Sequence, residues 1–389
     1  MQERAYWVAW SQVPGIGATL LLRLHHCFGS LAAAWEADQR DLQQVDGISA
    51  QGAEALVAAR SHLHPEAILT QHERDNPSFW TPADPDYPRL LLEIPDPPPI
   101  LYYRGRVERA ENRGEVPAIA IVGTREPSAY GERWTERLAR ALANAGFVVV
   151  SGLADGIDAI AHQACLWAGG RTIAVMGTGV NIAYPSSNRR LASRIAQDGL
   201  ILSEFPAGTK PDRMNFPRRN RIIAGLTRAT LVLEAPLKSG ALITARVANE
   251  YGRDVYALPA SLDNERGEGC LHLINSGAQI ILGESQLLEM LGAIPDLPFS
   301  PPSGQSEPKS RKGHDPAPLP QQTVLPLLPD PSLDPELAAI LLAIPANPVA
   351  LDAIVAQTQL PTGAVLSGLV QLELLGRVSQ LPGMMYQRS

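Results

Sequence analysis

The stretch from residue 117 to 292 predicts an α/β fold, a doubly wound parallel sheet, on three observations. Seven short runs are almost wholly apolar: AIAIVG, FVVVSG, TIAVMG, LILSEF, TLVLEA, DVYALPA and QIILG. A segment with helical spacing lies between each run and the next. Most of the runs close on glycine, serine or glutamate. A strand that is apolar on both sides must be covered on both faces, and helical crossovers between parallel strands supply that cover.

The remaining elements flank this core. Residues 1–75 read as short helices, a small domain of the SAM or helix-hairpin-helix kind. In it VPGIGATLLLRLHHCFGS and LQQVDGISAQGAEALVAAR each set glycines (Gly15, Gly17, Gly47) in a tight turn ahead of an amphipathic helix. Such hairpins can offer N–H groups to phosphate. No lysine cluster follows them, so closure of a packing domain is the favoured role. Residues 80–116 are proline-rich, and their runs LLLEI and ILYYRG predict edge strands leading into the main domain, taken as 80–292. Residues 293–332 are polar and rich in proline, which predicts a disordered linker. From 333 to 389 three helical patterns and the hairpin-like RVSQLPGMMYQR predict a winged helix.

Composition narrows the class of protein. The 389 residues carry 33 lysines and arginines against 40 aspartates and glutamates, a net charge of −7. The three cysteines (Cys27, Cys165, Cys270) lie far apart and form no C-x-x-C pair, which suits thiols in a reducing cytosol. The start, MQERAYWVAW, lacks the basic end and apolar run of a signal peptide, and no apolar stretch is long enough to span a bilayer. A cytoplasmic protein without a membrane partner is expected.

In a doubly wound sheet, ligands bind beyond the carboxyl ends of the strands. Those ends here carry Gly123-Thr124-Arg125, Ser151-Gly152, Gly177-Thr178-Gly179, Ser203-Glu204 and Glu234, and Ser239-Gly240 opens a later helix. Glycines admit a close backbone approach, and helix N-termini attract anions. Nearby, Thr209 to Arg228 holds six basic residues (Lys210, Arg213, Arg218, Arg219, Arg221, Arg228) against one acid, Asp212. In an acidic chain this local excess, centred on FPRRNRIIAG, reads as an electrostatic footprint for phosphate. The arginines are expected to project from a loop, with a helix beginning at Ile222. Phe216 either stacks on a base or, slightly favoured, packs beneath that loop.

Several chemistries lose support. There is no Walker lysine loop and no G-x-G-x-x-G after the first strand. No His/Cys/Asp grouping has metal spacing, so neither a metal nor a cofactor is expected. His162 reads as a packing residue, and Asp155 and Asp158 as caps of a turn and its helix, with Asp158 as the N-cap. Binding is favoured over catalysis.

The motifs IVGTREPSAYG, VVVSGLADGIDAIAH, TIAVMGTGVNIAYP, LILSEFPAGTKP, FPRRNRIIAGL and SGALITARVANEYGRDVYALPA, in this order, resemble the DNA-processing protein A family (DprA, also called Smf). The resemblance covers roughly residues 80–283. It implies an extended Rossmann-like domain that binds single-stranded DNA without catalysing a reaction. It also implies protection of incoming strands during natural transformation, help in loading the RecA recombinase, and a homodimer. Carried over, the DNA-binding residues are Gly123, Arg125, Ser151, Gly152, Gly177, Gly179, Phe216, Arg218, Arg219, Asn220 and Arg221, with Ser239 and Gly240 added from the helix opening. The dimer surface falls around Leu271 to Ile281. Pro259-Ala260 and Gly269-Cys270-Leu271 depart from the family pattern near that edge. An alternative reading is a nucleotide-cleaving phosphoribohydrolase with Glu204 or Glu234 as base, although the Pro-Gly-Gly loop usual there is replaced by Glu234-Ala235-Pro236-Leu237-Lys238. The candidate recognition helix of the C-terminal segment, TGAVLSGLVQLELLG, has no basic residue. That segment is therefore expected to contact protein rather than DNA.

Overall fold

The computed structural model describes residues 3–292, 335–344, 349–358, 360–374, 377–381 and 385–388. The predicted linker lies outside them. The chain divides into two units, residues 1–301 and 302–389, each described by itself.

Six helices open the first unit: α1 (Glu3–Ser11), α2 (Ala18–Phe28), α3 (Leu31–Glu36), α4 (Gln39–Leu42), α5 (Ala50–Arg60) and α6 (Pro65–Asp75). Their core gathers Trp7, Trp10, Leu21, Leu24, Trp35 and Leu42. Gly15 and Gly47 take positive φ at the two predicted turns, a conformation that costs glycine least. Ser30, Asp38 and Ser49 cap the helices that follow them. The bundle is fastened to the next layer where Ala5, Val8 and Leu69 pack with Phe79, Ile100 and Tyr102.

There follow β1 (Phe79–Trp80), α7 (Arg89–Leu92), β2 (Leu101–Gly105) and α8 (Arg109–Asn112). ILYYRG is a strand as expected but not an edge: β2 pairs antiparallel with β1 on one side and β6 on the other, and the short β1 takes the edge. LLLEI is not a strand. It forms the helical turn α7 after Pro88, and Leu91 and Ile94 lie beneath Gly225 instead of joining the sheet.

The alternating core runs β3 (Ala118–Val122), α9 (Ala129–Asn144), β4 (Val148–Ser151), α10 (Ile157–Trp167), β5 (Thr172–Met176), α11 (Arg189–Asp198), β6 (Leu200–Ser203), α12 (Asn215–Gly225) and β7 (Ala229–Val232). It continues with α13 (Gly240–Glu250), β8 (Asp254–Ala257), α14 (Glu268–Asn275), β9 (Gln279–Ile280) and α15 (Glu284–Gly292). The nine strands lie in the order β1-β2-β6-β5-β4-β3-β7-β8-β9, and every pairing from β6 to β9 is parallel. The central strand shows why such runs are apolar throughout. Ile119 and Ile121 pack towards α9 and α10, whereas Ala118, Ala120 and Val122 pack towards α12 and α13. The chain reverses its winding between β3 and β7, and the crevice at that switch point is the expected ligand position of the fold.

In the second unit α16 (Pro335–Leu342), α17 (Leu351–Thr358) and α18 (Thr362–Leu374) accompany β10 (Val349–Ala350), β11 (Val378–Leu381) and β12 (Met385–Arg388), paired in the order β10-β12-β11. Ile340, Ile344, Ile354, Val365, Leu369 and Leu372 form its core. Three helices with a small antiparallel sheet make a winged helix, as the sequence predicts.

Candidate nucleic-acid interface

FPRRNRIIAG is helical from its first residues, since α12 begins at Asn215 rather than at Ile222. The helix therefore sorts the basic cluster by its own period. Arg219 shares a face with Ile222, Ile223 and Leu226, at spacings of three, four and seven, and all four are buried. Phe216, Asn220 and Ile223 face the crevice at the switch point. Arg218 and Arg221 face Glu204.

The expectation that all the arginines project to solvent is thus corrected. Arg219 is 5% exposed and donates to the carbonyls of Gly152, at 2.6 Å, and Val175. Burial pulls its guanidinium down to about 10; Asp158 opposes that shift and Arg125 adds to it. Arg221 donates to Glu204 at 2.5 Å and to the carbonyl of Asp96 at 2.6 Å. Arg218 is exposed, with Glu204 3.9 Å away and its guanidinium 5.6 Å from the Phe205 ring centre. Of the three arginines on α12, Arg219 alone reaches the crevice wall.

The crevice is a cleft of about 700 Å³ between the N-terminal ends of α12 and α13, above β3 and β7. Arg125 and Arg213 stand in its lining, both exposed and neither ion-paired among the described residues. The Arg125 guanidinium lies 6.0 Å from the Phe216 ring centre, and the Tyr184 ring centre lies 5.5 Å from the same ring. Ser239 caps α13 by accepting from Ala241 N, and the exposed Gly240 leaves the positive end of that helix open to the cleft. Thr124, Tyr184 and Arg213 join the lining although none is among the residues carried over as DNA-binding. Arg213 was legible in the sequence as one of the six basic residues, and Tyr184 as the aromatic of IAYP.

Residues 78–292 match the family model of DNA recombination-mediator protein A, which spans more than half of the chain. The chain belongs to that family. Its residues 11–60 match a SAM-like helix-hairpin-helix tandem, and residues 325–384 match the DprA winged helix domain. Protein Smf of Synechocystis sp. is 52% identical, over 99% of this chain and 99% of that protein. Protein Smf of Escherichia coli is 38% identical, over 98% and 95%. The X-ray structure of DNA processing protein A (DprA) from Streptococcus pneumoniae shares 34% identity, covering 74% of this chain and 97% of that one with a TM-score of 0.63.

In this recombination-mediator domain the strand-end glycines do a different task from the one expected. A side chain at Gly152 would stand 2.6 Å from the Arg219 guanidinium, and one at Gly177 would stand 2.8 Å from the Phe216 ring. They make room for the protein's own arginine and phenylalanine rather than for a ligand. Gly123 is packed against Ile157 and Gly179 against the turn at Pro206–Gly208 in the same way. Ser151 is buried and donates to the carbonyl of Ile121. Of these, Gly123 lines the main cleft, and Gly152 lines a small recess beside it, whereas Ser151, Gly177 and Gly179 line neither.

The carboxylates of the alternative reading are committed elsewhere. Glu234 is 1% exposed and accepts from Ser128 N at 2.7 Å, Ser128 Oγ at 2.7 Å and Asn264 Nδ2 at 3.0 Å. Neither Glu234 nor Glu204 lines the cleft. Asp158 is not the N-cap of α10, a position held by Gly156. It accepts instead from Gly152 N at 3.1 Å and faces Arg219, while burial raises its carboxyl.

His162 is the buried packing residue expected, with Nδ1 2.7 Å from Thr172 Oγ1. Burial, reinforced by Arg219, lowers its imidazole to about 3. In the unfolded chain the same ring takes a proton near pH 6.5. The unfolded state therefore binds more protons over this interval, and stability falls as pH drops below 6.5. Between pH 7 and 5.5 this contribution amounts to about 1 kcal/mol. Asp158 works in the opposite direction, in the wild type and in His162→Asn alike. Urea unfolding at both pH values should show the loss in the wild type and not in His162→Asn; equal losses would refute the assignment.

Proposed function

We propose that this protein binds single-stranded DNA through the cleft between α12 and α13 and works as a recombination mediator. It protects incoming strands during natural transformation and helps to load RecA. The observation that carries the reading is the pairing of two exposed cations without carboxylate partners, Arg125 and Arg213, with the Phe216 and Tyr184 rings in one open cleft. Cations along a backbone and aromatic faces for bases are the two requirements of single-strand binding. Of the acids in the lining, Asp158 is buried facing Arg219 and Glu126 is exposed next to Arg125 in sequence; cations, rings and a helix N-terminus dominate the rest, so the protein acts by binding, in the cytoplasm.

It works as a homodimer. Both residues of β9 are exposed at the sheet edge, and Leu282, two residues after the strand, is 65% exposed, which suits a second copy. The winged helix serves protein contacts, so truncation after Gly292 leaves DNA binding nearly intact.

The decisive test is a titration with single- and double-stranded oligonucleotides over a range of salt concentrations. Single strands should bind more tightly, with log K falling linearly against log salt. Salt-insensitive binding of a mononucleotide with release of free base would overturn the proposal.

A further inference from the structure

A second groove adjoins the cleft across the Tyr184–Pro185 lip. Tyr184 lines the cleft, whereas its neighbour Ala183 lines the groove, so one strand of backbone separates the two. The groove holds about 110 Å³ between α11 and β2, with an apolar floor that includes Met176, Val180 and Ile201. Its polar lining is Arg104, Asn181, Arg189 and Ser193. Arg190 follows in the same helical turn as Arg189, and all three arginines are exposed with no ion pair among the described residues.

Their position is electrostatically unusual. The first turn of α11 carries two arginines and no acid, although the N-terminal end of a helix favours negative charge. The next arginine along, Arg194, is neutralised by Asp198 at 3.2 Å. An anion laid over the groove would offset the unpaired charges of Arg104 and Arg189 in its lining, with Arg190 beside them at the same helix end. The lip itself is held firmly beside the cleft, since Ser187 Oγ donates to Asp155 at 2.8 Å and Asn188 Nδ2 to the carbonyl of Leu153 at 3.1 Å.

We infer that this groove is a second surface for the same single strand, in which Arg104, Arg189 and Arg190 hold phosphates of nucleotides that have left the cleft over Tyr184. The inference rests on the proposed function of the cleft. It assigns the strand a direction of exit, towards α11 rather than towards α13. It also gives the protein a footprint longer than the cleft alone accommodates.

The test compares the full-length wild type with the triple variant Arg104→Ala/Arg189→Ala/Arg190→Ala on two oligothymidylates, one of about 5 nucleotides and one of about 25, within and beyond a typical single-fold site size. Fluorescence anisotropy is read at several salt concentrations. On the long oligomer the variant should bind about tenfold more weakly, with a salt slope shallower by about 2, since each single-strand phosphate contributes about 0.7. On the short oligomer the two proteins should agree within about twofold. The triple Arg→Lys variant should keep the wild-type slope on both, which shows that charge rather than local packing is measured. Unchanged binding of the long oligomer by the alanine variant would overturn this inference while leaving the cleft intact. A wild type that binds neither oligomer would overturn the cleft reading and this one together.

Discussion

Arg219→Met is expected to destabilise the protein by about 3–5 kcal/mol, since hydrogen bonds from a charged donor are worth about 1.5–3 kcal/mol each and two are lost. The substitution strands Asp158, which is 7% exposed and faces the guanidinium. It also removes the donor to the carbonyls of Gly152 and Val175, which lie at the ends of neighbouring strands. Methionine fills much of the arginine's volume, so the loss reports the charge and its hydrogen bonds rather than a cavity. Chemical denaturation followed by circular dichroism gives the size of the effect. Adding Asp158→Asn should restore part of the loss, because a neutral amide in that place no longer needs a countercharge. A midpoint for Arg219→Met within about 0.5 kcal/mol of the wild type would refute this account, as surface substitutions typically stay within that range.

The same argument changes what a charge-neutralising experiment on this helix means. Removing Arg219 and Arg221 together would weaken DNA binding by damaging the scaffold, since Arg221 too is tied down, between Glu204 and Asp96. The grip on phosphate has to be tested at Arg125 and Arg213, which carry no such duty.

The sheet was legible because both of its faces are covered, and a strand buried on both sides leaves an unbroken apolar run. Ile119 and Ile121 on one face and Ala118, Ala120 and Val122 on the other produce AIAIV with no polar gap. The same logic fails for LLLEI, since leucines packed beneath a helix read like leucines of a strand over so few residues. At the site, charge density pointed to the helix that lines the cleft and misjudged its exposure. Periodicity carried the missing information: Arg219 falls in register with Ile222, Ile223 and Leu226, which places it on the buried face. Glycine was read as room for a ligand, although it signals only that something approaches closely. At Gly152 and Gly177 that neighbour is the protein's own Arg219 and Phe216. Arg213 and Tyr184 come from loops, whose path no local pattern specifies.

Phe216 and the two free arginines should lose DNA in distinguishable ways. Arg125→Ala/Arg213→Ala removes two point charges from exposed positions, so the fold should be retained and the salt slope should become shallower by about 1.4, at roughly 0.7 for each phosphate. Phe216→Leu keeps an apolar side chain against Gly177 but removes the aromatic face turned to the cleft. Base stacking on an aromatic ring is worth about 1–3 kcal/mol, so affinity should fall by about one to two orders of magnitude with the salt slope unchanged. The ring is well placed for this role because Gly177 supports one edge and Tyr184 stands 5.5 Å from its centre, tilted by 33°. Isothermal titration or anisotropy at three or more salt concentrations separates the two effects. If Phe216→Leu also flattened the salt slope, the ring would be positioning Arg125 rather than stacking on bases. If it left affinity unchanged, Phe216 would be a packing residue alone and the cleft would hold the strand by its phosphates.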